Sequence, residues 1–217
     1  MKLSENTMNV LKNFSSINDG LVLQKGTKQR TMAPDQTVLI EAILSDDFPE
    51  QFGIYELNKF LGNITTLNDP DLTFTGNSVM MEDSDIKLNW YSCSPSLIVS
   101  PPDKELVMKK IDITFDLSAD LLKKILRLSL MNNLSNITLL GKNGELRLQT
   151  HERKNDTSNF AFTKIAKHDG ADFTVSFKAD KFKMIPDDYR VEVSIGTFAK
   201  FTNKSGNLIY YIAQETK

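Results

Sequence analysis

Cysteine is almost missing. Cys93 stands alone among 217 residues, which excludes an internal disulfide and suits a reducing compartment. Long apolar runs are missing too: no stretch approaches the roughly 20 residues needed to cross a bilayer. The opening MKLSENTMNVLKNF lacks the continuous apolar centre of a signal peptide. The expected setting is cytosolic, with no membrane partner. Histidine occurs only twice, as His151 and His168, both in polar stretches far from Cys93, so metal-ligand spacing is absent. There is no glycine-rich phosphate loop, no dinucleotide fingerprint and no nucleophile elbow. Acidic pairs such as Asp46-Asp47 and Asp187-Asp188 adjoin turn residues, where a solvated loop is the simpler reading. The expectation is a protein with no catalytic residue, no metal and no cofactor.

What is present describes a folded chain. Forty per cent of residues are hydrophobic and 25% charged, enough for one large domain or two of about 100 residues, each with its own core. The net charge of -2 hides an asymmetry. Residues 1–104 hold 8 Lys+Arg against 14 Asp+Glu, and residues 105–217 hold 18 against 14. An acidic half joined to a basic half suits head-to-tail association, because opposite potentials favour one docking register.

The most informative stretch is Leu117 to Met131. Ser118 is a candidate N-cap, and Asp120 sits in the first turn, where a negative charge favours the helix dipole. At helical spacing Leu121, Leu122, Ile125, Leu128 and Ser129 share one side, and Lys123, Lys124 and Arg127 cluster on the other. Leu3 to Ile17 repeats the design, with Ser4 as cap and Lys12 outward; Asn18-Asp19-Gly20, residues that tolerate positive φ, are expected to end it. Tyr55 to Ile64 reads as a second helix with Lys59 outward, and Ala179 to Ile185 as a fourth with Lys181 and Lys183 flanking.

Strand-like segments fill the intervals. Gly141-Lys142-Asn143-Gly144 is a hairpin signal between Asn136–Leu140 and Glu145–Gln149. Ser94 to Asp103, with three prolines in ten residues, suits a linker. The expected division is a domain at 1–93, a linker at 94–104 and a domain at 105–217. Helix, hairpin strands, short helix, hairpin strands then occur twice. Leu3-Ser4 corresponds to Leu117-Ser118, and Leu57-Asn58-Lys59-Phe60 to Ala179-Asp180-Lys181-Phe182.

Two local motifs carry a resemblance. Met1-Lys2-Leu3-Ser4 followed by Val10-Leu11-Lys12-Asn13-Phe14 and Ile17-Asn18-x-Gly20, together with Ile54 to Gly62 (IYELNKFLG), resembles the sliding clamps of T-even-type bacteriophages. The similarity continues more diffusely through Leu126-Arg127-Leu128-Ser129 to the end. The resemblance implies an α+β DNA-clamp fold with two similar domains per chain, closed as a homotrimer whose helices line a ring of antiparallel sheets. It implies a non-catalytic processivity factor that encircles duplex DNA and tethers the replicative DNA polymerase, in the cytoplasm of an infected bacterium. A clamp loader ATPase and the late-transcription machinery are further partners it implies.

The resemblance also assigns surfaces. Lys12, Lys59, Lys123, Lys124, Arg127, Lys181 and Lys183 are expected to face the DNA. Mobile phosphate contacts carry no sequence information and so permit sliding. Ile86, Leu88 and Trp90 are expected to meet Phe160, Phe162 and Ile165 of the next subunit. Leu97, Ile98 and Val99, with Ile209, Tyr210, Tyr211 and Ile212, form the candidate partner pocket, the alternative for the last four being a buried strand. A rival reading is a single-stranded DNA-binding replication accessory protein, which would need stacking aromatics. Phe14, Phe60 and Phe182 fall instead on predicted inward helix faces.

Overall fold

A computed structural model describes residues 1–153 and 159–215. The chain divides into two compact units, Met1–Glu105 and Leu106–Lys217, so the proline-rich segment packs as part of the first.

The first unit opens with helix α1 (Glu5–Ser15), then β1 (Leu21–Leu23), β2 (Gly26–Met32), β3 (Val38–Phe48) and β4 (Phe52–Ile54). Helix α2 (Leu57–Thr66) follows, then β5 (Asp71–Phe74), β6 (Ser78–Glu82) and β7 (Lys87–Tyr91). Sequence periodicity predicts α1 two residues too long at each end. Its true start is set by Ser4, whose Oγ accepts the Thr7 amide at 3.3 Å. Asp46 of β3 accepts both the amide and the hydroxyl of Ser4. Val10, Leu11 and Phe14 are buried on its inner face; each such side chain contributes about 1.5–3 kcal/mol. Helix α2 starts after Tyr55, which is left exposed, and buries Leu57, Phe60, Leu61 and Ile64.

The second unit has β8 (Ile113–Leu117), α3 (Ala119–Met131), β9 (Asn136–Lys142), β10 (Glu145–His151), β11 (Phe160–Lys167) and β12 (Phe173–Lys178). After a 3₁₀ turn at Ala179–Lys181 come β13 (Tyr189–Ser194), β14 (Phe198–Asn203) and β15 (Leu208–Ala213). Ser118 caps α3 as expected, accepting the Leu121 amide at 3.3 Å. The buried face of α3 is narrower than periodicity predicts: Leu122, Ile125 and Ser129 are buried, Leu121 is half-buried and Leu128 exposed. Between β9 and β10, Asn143 and Gly144 both have positive φ, as a two-residue primed hairpin turn requires.

The expected helix at Ala179–Ile185 does not form. Phe182 leaves the helical region (φ -84°, ψ 43°) to stack edge-on against Phe177 at 5.8 Å and Phe201 at 5.7 Å. Pro186 forbids continuation. A seven-residue segment cannot offset the nucleation cost against such packing.

The duplication is visible in backbone pairing. β1 pairs with β4 and β2 with β3; β9 pairs with β12 and β10 with β11. β5-β6-β7 form one antiparallel sheet, and β13-β14-β15 run antiparallel in the same order. Individual bonds repeat too. The Leu57 amide donates to Asp19 O and the Ala179 amide to Ser135 O; the Cys93 amide donates to Gly53 O and the Glu215 amide to Ser176 O. Where β8 pairs with β13, Met1 exchanges backbone bonds of 2.7 Å with Leu72 of β5.

Candidate functional site

Helix α3 is the basic element. Lys123, Lys124 and Arg127 lie on the side away from Leu122 and Ile125, and the two lysines and Arg127 are all exposed. Asp120 lies 2.7 Å from Lys124, so one of the three cations is locally paired. The other helices are electrically balanced. α1 carries Glu5 and Lys12, and on α2 Lys59 pairs with Glu56 at 2.5 Å. Lys12 and Lys59 are exposed. Lys181 and Lys183 lie in and just after the 3₁₀ turn rather than on a helix face, Lys181 half-buried and Lys183 exposed. Among the helices, positive charge is thus concentrated on α3.

Two strands at sheet edges, among the described residues, are β7 and β11. β7 pairs only with β6, and β11 only with β10. The ladder bonds fix which way β7 points. Asp83 N donates to Ile86 O and Ser92 N to Asn77 O, and Met81 lies opposite Leu88. In an antiparallel ladder bonded pairs alternate, so Ile86, Leu88 and Trp90 turn their backbone groups toward β6. Lys87, Asn89 and Tyr91 turn theirs to the open edge. Trp90 is half-buried edge-on against Phe60 at 5.7 Å, and Leu88 is half-buried on the same face. Ile86 is exposed, and Tyr91, at 74%, more so.

On β11, Phe160 and Phe162 are stacked at 6.0 Å and both exposed, while Ile165 is half-buried. The Arg147 guanidinium lies 5.3 Å over the Phe162 ring. Arg147 and Lys164 both pair with Glu145, and Lys164 first, then Arg147, hold its carboxyl below the usual range. An exposed aromatic ledge on an open strand is the kind of surface a protein partner covers.

The candidate partner residues separate. Leu97 closes a 3₁₀ turn at Pro95–Leu97, and Ile98 and Val99 follow it; Ile98 is buried while Leu97 and Val99 are exposed. With Pro34, Tyr55, Asn58 and Lys59 they wall an open groove of about 470 Å³ within the first unit. Ile209, Tyr210, Tyr211 and Ile212 lie on β15, and all but half-buried Ile209 are buried. The Tyr210 hydroxyl accepts the Ile185 amide at 3.0 Å, its ring packs edge-on to Tyr189 at 5.9 Å, and burial pushes its phenol up to about 12. The buried-strand alternative describes these residues. Tyr55 and Pro34 escape sequence reasoning because one is read as helical and the other as a mere turn; the signal for Tyr55 is its position just before the α2 cap.

Among the described residues no cluster of three His, Cys, Asp or Glu is placed to hold a metal ion. No described helix is long and apolar enough to cross a membrane.

A family model described as DNA polymerase processivity factor matches residues 2–99. The chain is 27% identical over 221 residues to the sliding clamp of Vibrio phage KVP40, covering 99% of each. It is 28% identical over 199 residues to the sliding clamp of Enterobacteria phage T4, covering 88% of this chain and 86% of that one. The crystal structure of Proliferating Cellular Nuclear Antigen from Entamoeba histolytica superposes with a TM-score of 0.67 at 14% identity, over 97% of this chain and 95% of that one. At that identity the superposition speaks for the fold alone, and the fold is that of the DNA clamps.

Proposed function

We propose that this chain, a relative of the T4-type phage sliding clamps, acts as a DNA polymerase processivity factor by closing in three copies around duplex DNA. Its relatives are sliding clamps, which are not enzymes, and this chain is not one either. The observation that carries the reading is the pair of open edges. Each unit leaves one of these strands, β7 or β11, open on one side, and joining them head to tail satisfies both and repeats without a free end in a closed ring. The charge difference between the two halves of the chain favours the same head-to-tail sense.

In that ring Lys123, Lys124 and Arg127 meet the phosphates, with Lys12, Lys59, Lys181 and Lys183 as secondary contacts. Replicative polymerase docks by an apolar segment at the groove bounded by Tyr55, Leu97 and Val99. A loader ATPase opens the ring, and the phage late-transcription machinery uses the same mobile platform in the infected cytoplasm. The single-strand-binding alternative gains nothing from Phe14, Phe60 and Phe182, which are all buried, and the exposed Phe160 and Phe162 lie on the open edge strand that the ring reading uses for assembly.

The test is solution mass combined with topology. The expected mass is that of three 24.5 kDa chains, and protein loaded on nicked circular DNA should stay until the circle is cut. A mass that remains monomeric at every concentration would sink the ring.

A further inference from the structure

The Ile17-Asn18-x-Gly20 turn does something other than end a helix. None of Asn18, Asp19 and Gly20 has positive φ, so their tolerance of it is not what the turn uses. Asn18 is 7% exposed, and its side chain is fully engaged. Nδ2 donates to Met32 O at 2.9 Å and to Val99 O at 2.8 Å, while Oδ1 accepts the Gly20 amide at 3.1 Å. One amide therefore ties the end of α1, the end of β2 and the linker, 81 residues on. Gly20 leaves room for the third member: a Cβ there would stand 3.2 Å from both Ile54 O and Ile98 Cγ1. Ile98 fills that space as a buried peg, which turns Leu97 and Val99 outward. A second tether further along, Lys28 Nζ to Glu105 Oε1 at 2.7 Å, is exposed at both ends.

We propose that Asn18 is a positioning residue for partner recognition, holding Val99 of the linker against the end of β2 so that Leu97 and Val99 stand as a preformed wall of the groove. Only asparagine supplies this set. Aspartate would aim an acceptor at two carbonyl oxygens, and leucine would leave both carbonyls unpaired in a buried place. Preorganisation of the wall spares a docking segment the cost of ordering the linker. The inference rests on the groove being the partner site, as proposed above.

The test compares wild type, Asn18→Asp, Gly20→Ala and Lys28→Ala. The probes are amide hydrogen exchange and a synthetic peptide of the last dozen residues of the polymerase from the same phage. Asn18→Asp should speed exchange at Leu97 and Ile98, whose amides donate to Ser94 O and Pro95 O, by about tenfold and weaken the peptide by a similar factor, the scale of losing one or two buried hydrogen bonds. Gly20→Ala, which keeps Asn18 but displaces Ile98, should move both readouts the same way even if Asn18→Asp folds poorly. Lys28→Ala should move neither. A merely structural role would raise exchange throughout the unit with no effect on peptide affinity per folded molecule, and that result overturns the inference. So does unchanged linker exchange in both variants. If the wild type ignores the peptide while the linker exchanges as expected, the groove reading fails and the anchor stands.

Discussion

Asp120 and Lys124 face each other at 2.7 Å across one turn of α3. The acid partly cancels the face that the fold otherwise presents as its most basic. An exposed pair of this kind is worth only about 0–1 kcal/mol to stability, so its larger effect is on what the helix attracts. Asp120→Asn should leave the fold intact and tighten binding to a short duplex, by roughly threefold at low salt and less as salt rises. Fluorescence anisotropy at two salt concentrations checks this; equal affinities at low salt would show that α3 does not face the DNA.

The complementary change is reversal. Lys123→Glu, Lys124→Glu and Arg127→Glu together lie on the exposed side of α3, so oligomer mass and thermal stability should survive. Processive synthesis on a primed circle should fall at least about tenfold at low salt, where phosphate repulsion is least screened. Wild-type product lengths would refute the assignment.

The β7 register separates two proline substitutions a residue apart. Asn89 turns its N–H to the open edge, so Asn89→Pro should spare the first unit and shift the assembly toward monomer, with the dissociation midpoint raised by about tenfold or more. Leu88→Pro instead deletes a bond to β6 and should lower the melting temperature of the monomer itself. Light scattering and calorimetry read the two effects. If Leu88→Pro dissociates the assembly into a stable monomer and Asn89→Pro does not, the edge has been assigned the wrong way round.

Two tyrosines separate groove from core. Tyr55 is 60% exposed and Tyr210 fully buried. Tyr210→Ala should cost about 3–5 kcal/mol of stability, in the range of a large buried aromatic. Tyr55→Ala, measured by urea unfolding, should stay within about 0.5 kcal/mol of wild type, yet combined with Leu97→Ala it should weaken polymerase-tail binding. A stable double variant with undiminished binding would move the site elsewhere.

Acid should loosen the first helix in a defined window. Burial alone would raise the Asp46 carboxyl, but hydrogen bonds from the amide and hydroxyl of Ser4 help outweigh it and hold it below its ordinary 3.8. A depressed carboxyl stabilises the fold above its unfolded pKa and loses that contribution as pH falls through the folded value. The stability gap between wild type and Asp46→Asn should therefore be flat near neutrality and close only below the ordinary Asp range. A gap that widened on acidification would contradict stabilisation of the carboxylate by Ser4.

How much was legible beforehand follows from range. The caps at Ser4 and Ser118, the Asn143-Gly144 turn and the buried faces of α1 and α2 are local, and the sequence pattern identifies them. The doubled order of elements was readable for the same reason. The helix expected at Ala179–Ile185 fails because Phe182 answers to Phe201, on another strand, rather than to its neighbours in sequence. The direction of Leu88 is hidden because alternation gives side-chain faces, whereas the open edge depends on which ladder bonds form. Asn18 looks like a turn residue until Val99 is brought beside it, and Tyr210 looks like a docking residue until Tyr189 covers it.

The unequal helices have one further result. Asp120 aside, α3 carries three cations, while α1 and α2 are each offset by a neighbouring acid. In the proposed ring the attractive lobes would recur once per chain and not once per domain. The duplex would then sit in a trefoil of potential, with three equivalent azimuths separated by nearly neutral arcs. Rotation of the ring about the DNA would be stepped, while translation that follows the phosphate spiral would stay level.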